Sequence, residues 1–264
     1  MRVPIHHWYT YICPDNEENY YPALIETLHF HYHVGKEIQA LRSIKDTLRM
    51  GRDLSTFVRG RFFHHRPLIK DPFAVFSSGW FAHRLDCQVV CVVRHPAAFV
   101  SSLIRLDWAF DLGDILNQPL LMRDWLESYR EDIVKVLVEP RDVVAQAGLL
   151  WKMIYQVVYR LQEQIANCYV VRHEDLSADP IEGYRRLYTT LGLDYSPEVT
   201  KVVVDLSHAG NPQELSKKSV HSVRLDSQAN LQQWKRRLSP AEIAQIRQIS
   251  EPVASLYYSE QDWE

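Results

Sequence analysis

Residues 88–102 read Gln-Val-Val-Cys-Val-Val-Arg-His-Pro-Ala-Ala-Phe-Val-Ser-Ser. The run Gln88–Val93 has the continuous apolar character of a strand covered on both faces. Arg94 stands at the C-terminal edge of that strand. Pro96 suits the first position of a helix, which leaves the next backbone N–H groups free and points the positive end of the helix dipole outward. Ser102, eight positions after Arg94, falls near the second turn and adds a hydroxyl donor. A planar guanidinium fork, free amides and a hydroxyl together suit a phosphate. The competing reading is that Arg94 pairs with a carboxylate and Ser102 bonds back to a helix carbonyl.

Outward from this stretch, Cys168–Val171 is a second apolar strand and Pro67–Lys70 a weaker third. Asp179-Pro180-Ile181-Glu182 opens a helix to about Leu191, with Gly192 as its C-cap. Ser239-Pro240-Ala241-Glu242 repeats that signature and Ser196-Pro197-Glu198 nearly does. Asp142–Gln164 reads as a long, mostly buried helix, and Leu120–Val138 as an amphipathic one. Residues 207–230 read as a long polar loop, a kind of segment that often carries function. Strands alternating with helices imply a parallel sheet with helices on both faces.

The chain has 264 residues, with 46% hydrophobic and 24% charged residues, as in globular proteins, and the length of one sizeable α/β domain or two small ones. A net charge of −3 gives no reason to expect nucleic acid. The longest uncharged apolar stretch, Val143–Trp151, is too short to span a bilayer. Cys13, Cys87, Cys91 and Cys168 read as small buried residues in a reducing compartment, without the Cys-x2-Cys pair of a zinc site. The tract His29-Phe30-His31-Tyr32-His33 puts histidines at alternate positions but supplies no third metal ligand of known geometry.

Arg-x-Pro-x5-Ser after a buried strand resembles the 3′-phosphate-binding segment of sulfotransferases that use 3′-phosphoadenosine 5′-phosphosulfate (PAPS). Three further stretches resemble that family in the same order: Arg66-Pro67-Leu68-Ile69-Lys70-Asp71-Pro72; Tyr169-Val170-Val171-Arg172-His173-Glu174-Asp175-Leu176-Ser177-Ala178-Asp179-Pro180; and Trp234-Lys235 with Leu238 and Glu242. The resemblance runs from about Pro67 to Tyr257 and is nearest to bacterial soluble members. It implies an α/β, P-loop-NTPase-like three-layer fold whose short parallel sheet is flanked by helices, in one domain over 1–264. It implies transfer of a sulfuryl group from PAPS to a hydroxyl or amine by in-line displacement, releasing 3′-phosphoadenosine 5′-phosphate (PAP). It further implies a cytoplasmic enzyme with a small-molecule or glycan acceptor, and neither membrane nor nucleic-acid partners. The family's 5′-phosphosulfate loop, of the flavour Pro-(Arg/Lys)-Ser-Gly-Thr-Thr, is not in this sequence. The opening Met1-Arg2-Val3-Pro4-Ile5-His6-His7-Trp8-Tyr9 resembles what normally follows that loop, so the expectation is an N-terminally shortened chain without the loop and its strand. That would leave Gln88–Val93 with an exposed apolar edge.

The resemblance assigns Arg94, Ser102, His173 and Arg224 to the nucleotide, with Lys235 as a further candidate. His173 stands where a tyrosine near the adenine is common, or else it only ends the strand. Sulfuryl transfer needs a base for the acceptor hydroxyl. Lys70, Asp71, His7 and His65, with His6 and His64 beside them, are the candidates. Asp71 reads equally as a helix cap with Pro72 at the first helical position. Trp8, Tyr9, Tyr11, Tyr20 and Tyr21 either line an acceptor pocket or pack a core. The alternative function is a non-catalytic remnant that binds PAP or a protein partner. A nucleotide kinase is disfavoured by the lack of a glycine-rich Lys-Ser/Thr loop.

Overall fold

The computed structural model describes residues 5–39, 41–108, 110–139, 142–214 and 224–264. The chain divides into two compact units, 1–85 and 86–264.

The first unit holds α1 (Tyr21–Leu28), α2 (Val34–Gln39), α3 (Ile44–Phe62) and α4 (Ser78–Arg84). Its N-terminal segment is pinned by one hydroxyl. Ser77 Oγ accepts from the Ile12 N–H at 2.8 Å and donates to the Thr10 carbonyl at 2.9 Å. Glu17 accepts from Trp80 Nε1 at 2.8 Å and Arg84 Nε at 3.1 Å, tying the start of α1 to α4. Ser43 caps α3 by accepting from the Asp46 N–H. One face of α3 packs inward, with Phe57 edge-on to Phe30 and Tyr32. Gly60 lies directly over the Phe30 ring, where a Cβ would sit 2.4 Å from a ring carbon. Tyr9 and Tyr11 are buried, and Tyr9 packs on Phe73 and Phe76. Tyr21 lies against Trp80 and under Arg84. Tyr9 and Tyr11 are core, Tyr21 is half-buried and Trp8 is exposed.

The second unit begins with β1 (Val89–Val93) and α5 (Pro96–Leu106), then α6 (Gly113–Leu116) and α7 (Pro119–Leu121). It continues with α8 (Arg130–Val138), α9 (Val143–Gln164), β2 (Cys168–Arg172), α10 (His173–Ala178), α11 (Pro180–Thr190) and α12 (Pro197–Ser207). The order ends with α13 (Ser227–Asn230), α14 (Gln233–Arg237) and α15 (Pro240–Ser250). β1 and β2 pair in parallel from Val89 opposite Cys168 to Val93 opposite Arg172. The structure is thus the expected α/β class, mostly helical with a short parallel sheet. Among the described residues β1 pairs with β2 alone, and Val92 is 45% exposed. Helix α9 is the pillar of this unit: α5, α15 and β2 pack on it. Asp142 caps it by accepting from the Val144 and Ala145 N–H groups, and Trp151, Met153, Val157, Val158 and Leu161 are buried along it.

Asp179, Ser196 and Ser239 cap α11, α12 and α15 as their sequences predict. Gly192 takes a φ of +64° just after α11, a conformation that costs glycine little.

Three local expectations need correction. Pro67–Lys70 is not a strand; those four residues are exposed and carry no ladder bonds, and prolines at 67 and 72 remove the donors a strand needs. Leu120–Val138 is not one helix. A π-helical turn over Met122–Leu126 and a 3-10 turn over Glu127–Tyr129 precede α8, and these changes of winding bury Leu121, Met122, Leu126 and Ile133 together. Asp71 caps a turn and not a helix, its Oδ1 accepting from the Phe73 N–H at 2.9 Å. Of the long loop expected over 207–230, residues 215–223 lie outside the described residues, and Ser227–Asn230 is α13.

Candidate nucleotide-binding site

The site lies where β1 ends and α5 begins. Two buried aromatic residues of α9 hold the end of β1. Trp151 Nε1 donates to the Arg94 carbonyl at 2.7 Å, and the Tyr155 hydroxyl donates to the Val92 carbonyl at 3.2 Å. At the start of α10, Glu174 accepts from the His95 N–H at 2.9 Å and from the Tyr258 hydroxyl at 2.9 Å. The start of α5 and the start of α10 are thereby clamped side by side.

Arg94 sits at this junction with its Nε enclosed and without a hydrogen-bond partner. Among the described residues no carboxylate lies within ion-pair distance of it. Burial lowers its pKa; the charge of Glu174 opposes this and the positive charge of Arg237 adds to it. An enclosed guanidinium donor without an acceptor is an expensive arrangement unless a ligand completes it. The carboxylate-pair reading of Arg94 therefore finds no partner.

Arg237, at the end of α14, places Nη1 3.4 Å from the buried Ser101 Oγ and forms an ion pair with Glu214 through Nη2. Sequence reasoning missed both Arg237 and Ser101; it chose Ser102 and Arg224, and read Lys235 as solvated surface charge rather than a phosphate contact. A signal for Arg237 was present: it lies three residues after Trp234, one helical turn on, so the face that buries Trp234 also turns Arg237 inward. Lys235 instead folds back over the Trp234 ring, 5.3 Å from its centroid. Ser102 is half-buried on the next position of α5, and its hydroxyl makes no protein hydrogen bond among the described residues. His173, the first residue of α10, is neutral: burial and the charge of Arg94 push its pKa down to about 4. Arg224 is exposed beside the undescribed stretch, and Ser222 and Val223 lie outside the described residues.

His95 forms the floor beneath the site. Its ring stacks on Trp234 and meets Trp263 and Tyr258 edge-to-face, all within 5.0 Å between centroids. It is 3% exposed, both ring nitrogens lack hydrogen-bond partners, and burial pushes its pKa down to about 3. Arg172 lies over the other side of Tyr258 and pairs with Asp262, locking the C-terminal segment onto β2.

The proposed base residues belong to the first unit. Lys70 and Asp71 are exposed; His65 is exposed and stacks on Phe63; His7 is half-buried and its carbonyl accepts from the Thr10 hydroxyl. Among the described residues no three His, Cys, Asp or Glu side chains gather as a metal site. All four cysteines are free thiols.

A model of the sulfotransferase domain matches residues 72–257. The chain belongs to the sulfotransferase family. It is similar to carbohydrate sulfotransferase 2 of Mus musculus, with 34% identity over 210 residues covering 73% of this chain and 36% of that protein. The Homo sapiens carbohydrate sulfotransferase 2 matches over the same coverage at 34%. Carbohydrate sulfotransferase 5 of Mus musculus is 26% identical over 196 residues, covering 72% of this chain and 44% of that protein. The chain thus spans less than half the length of these relatives. A solved structure titled as a sulfotransferase domain from the curacin biosynthetic pathway aligns with a TM-score of 0.44 and 16% identity, over 89% of this chain and 79% of that one. No helix among the described residues is long and apolar enough to cross a membrane.

Proposed function

We propose that this sulfotransferase-family chain binds the ribose 3′-phosphate of PAPS between Arg94 and Arg237 and serves sulfuryl transfer to a hydroxyl of a glycan acceptor. The enclosed and unpartnered Arg94 Nε is the observation that carries the reading, and the positive charge of Arg237 bears on the same guanidinium. A dianionic phosphate would supply the acceptor that the Arg94 Nε lacks and offset the positive charge of both arginines. The α5 N-terminus after Pro96 contributes further positive potential. Ser102, and Ser101 held by Arg237, offer hydroxyl donors on the same helix. His173, kept neutral, can stack on or hydrogen-bond an adenine without adding charge. Arg224 is a further candidate for the phosphate.

When bound, PAPS supplies the activated sulfuryl group, and the family chemistry moves it to the acceptor oxygen as the acceptor proton passes to a base. Lys70, Asp71, His7 and His65 remain the candidates for that base. A glycan acceptor is the choice because the relatives named above are carbohydrate sulfotransferases.

Isothermal titration with PAP tests the site. Micromolar binding that Arg94→Ala weakens is expected; an unchanged affinity in that variant would remove Arg94 from the site. Radiolabelled sulfate transfer from PAPS to a panel of sulfated and unsulfated glycan acceptors tests the activity. PAP binding without any transfer would favour the non-catalytic reading.

A further inference from the structure

Helix α3 buries one apolar face and leaves a second one open. Ile44, Leu48, Gly51, Ser55, Val58 and Phe62 follow one another in steps of four, three, four, three and four residues, which places them on a single stripe. All six are exposed, with Ile44 at 82%, Leu48 at 72% and Phe62 at 75%. The stripe continues past the end of the helix through Phe63 and Leu68, which is 88% exposed. The inner face, with Phe57 and Gly60 against Phe30, is separate from it. A contiguous exposed run of this size marks a contact surface.

Its charge says what kind. Lys45, Arg52 and Arg59 recur every seven residues and form a row along one flank of the stripe. Between residues 42 and 70 the chain carries 8 Lys and Arg against 2 Asp, a net +6, while the whole protein is −3. The two acids are already paired, Asp46 with Arg49 and Asp53 with Arg52.

We infer that α3 and the segment to Lys70 dock in the plane of an anionic lipid surface. The stripe would lie among the acyl chains, with the Lys45–Arg52–Arg59 row at the phosphate level. A lipid surface satisfies both features at once: aliphatic and aromatic side chains leave water, and long basic side chains reach the headgroups. A soluble polyanion would neutralise the cations but leave Ile44, Leu48, Val58, Phe62, Phe63 and Leu68 wet. A second copy packed antiparallel along the stripe would bring the basic row against itself. A helix lying in the interface needs no membrane-spanning length, so the surface is compatible with the lack of a spanning helix among the described residues. Such docking departs from the expectation of no membrane partner.

Flotation of the full chain with vesicles tests this. Vesicles of phosphatidylcholine with about a third phosphatidylglycerol should carry the protein up the gradient, and pure phosphatidylcholine should not. Leu48→Ser with Phe62→Ser should weaken binding at least tenfold. Lys45→Glu, Arg52→Glu and Arg59→Glu should each weaken it roughly fivefold. Circular dichroism and PAP titration should stay unchanged in these variants, because the substituted side chains point to water. Vesicle binding that survives Leu48→Ser with Phe62→Ser but is lost with the charge reversals would overturn the proposal in favour of a soluble polyanion. The same would follow from absence of vesicle binding with retention on heparin. Sedimentation showing a dimer that Leu48→Ser with Phe62→Ser dissolves would assign the face to a second copy.

Discussion

The imidazole of His95 lies flat on the indole of Trp234, with ring centroids 5.0 Å apart and planes 16° apart. This contact joins the turn between β1 and α5 to the C-terminal helices. It has a consequence for acid stability. Unfolded, the histidine takes up its proton near pH 6.5; folded, it does so only near 3. Between those values the unfolded chain binds more protons, so stability falls as pH drops from about 6.5 towards 3. The loss for this one group is about 2 kcal/mol at pH 5 relative to pH 7.5. Urea unfolding of wild type and His95→Phe at both pH values checks it. The variant keeps the ring stack without a titrating group, so its stability should drop less between pH 7.5 and 5. Equal drops would show that His95 is not the acid-sensitive group.

Arg94→Ala should weaken PAP binding by about 1.5–3 kcal/mol, the scale of hydrogen bonds to a charged group. Arg237→Ala should also weaken it, because it removes a positive charge and leaves the Glu214 carboxylate without this partner. If both arginines hold one phosphate, the double variant should lose less than the sum of the single losses. Strict additivity by calorimetry would place them on different groups.

His173 gives a second titration. Its pKa of about 4 in the free protein is held down partly by the charge of Arg94. A bound phosphate offsets that charge and raises the value, so the complex holds more of this proton than the free protein below about pH 6. Proton uptake on PAP binding at pH 5, read from calorimetry in buffers of different ionisation enthalpy, should shrink in His173→Gln. The same uptake in both proteins would leave His173 away from the phosphate.

Trp151→Phe removes the donor to the Arg94 carbonyl and opens a small space in a fully buried position. A loss of about 2–4 kcal/mol in stability is expected. If Arg94 holds the phosphate as proposed, PAP affinity should fall with it, because the indole holds the Arg94 carbonyl.

Two glycines of α3 separate close packing from open space. Gly60→Ala drives a methyl into the Phe30 ring and should destabilise by about 1–3 kcal/mol. Gly51→Ala meets nothing within 4 Å and should stabilise the helix by up to about 1 kcal/mol. Thermal unfolding of the two variants distinguishes them; the opposite order would mean α3 is seated differently.

Local features were legible wherever the physics is local. The N-caps at Asp179, Ser196 and Ser239, the glycine after α11 and the apolar strands at 88–93 and 168–171 all depend on residues within one or two turns of each other. So does the arrangement of Arg94 before Pro96 and the α5 amides. The apolar pair Leu68-Ile69 misled at 67–70, because a strand exists only if another strand pairs with it. The winding changes over 119–138 were hidden for a similar reason: burying Leu121, Met122, Leu126 and Ile133 together is a demand made by the rest of the core.

What the chain's order of residues determined alone was the strand–arginine–helix unit and its kinship with sulfotransferases. Only the tertiary structure decided that the charge of Arg237, 143 positions away, bears on Arg94, that Ser101 faces Arg237, and that His95 is an uncharged ring in an aromatic stack. The division follows from range. Caps, periodicities and dipoles act over a few residues, whereas charge crowding and desolvation depend on which distant segments the core brings together.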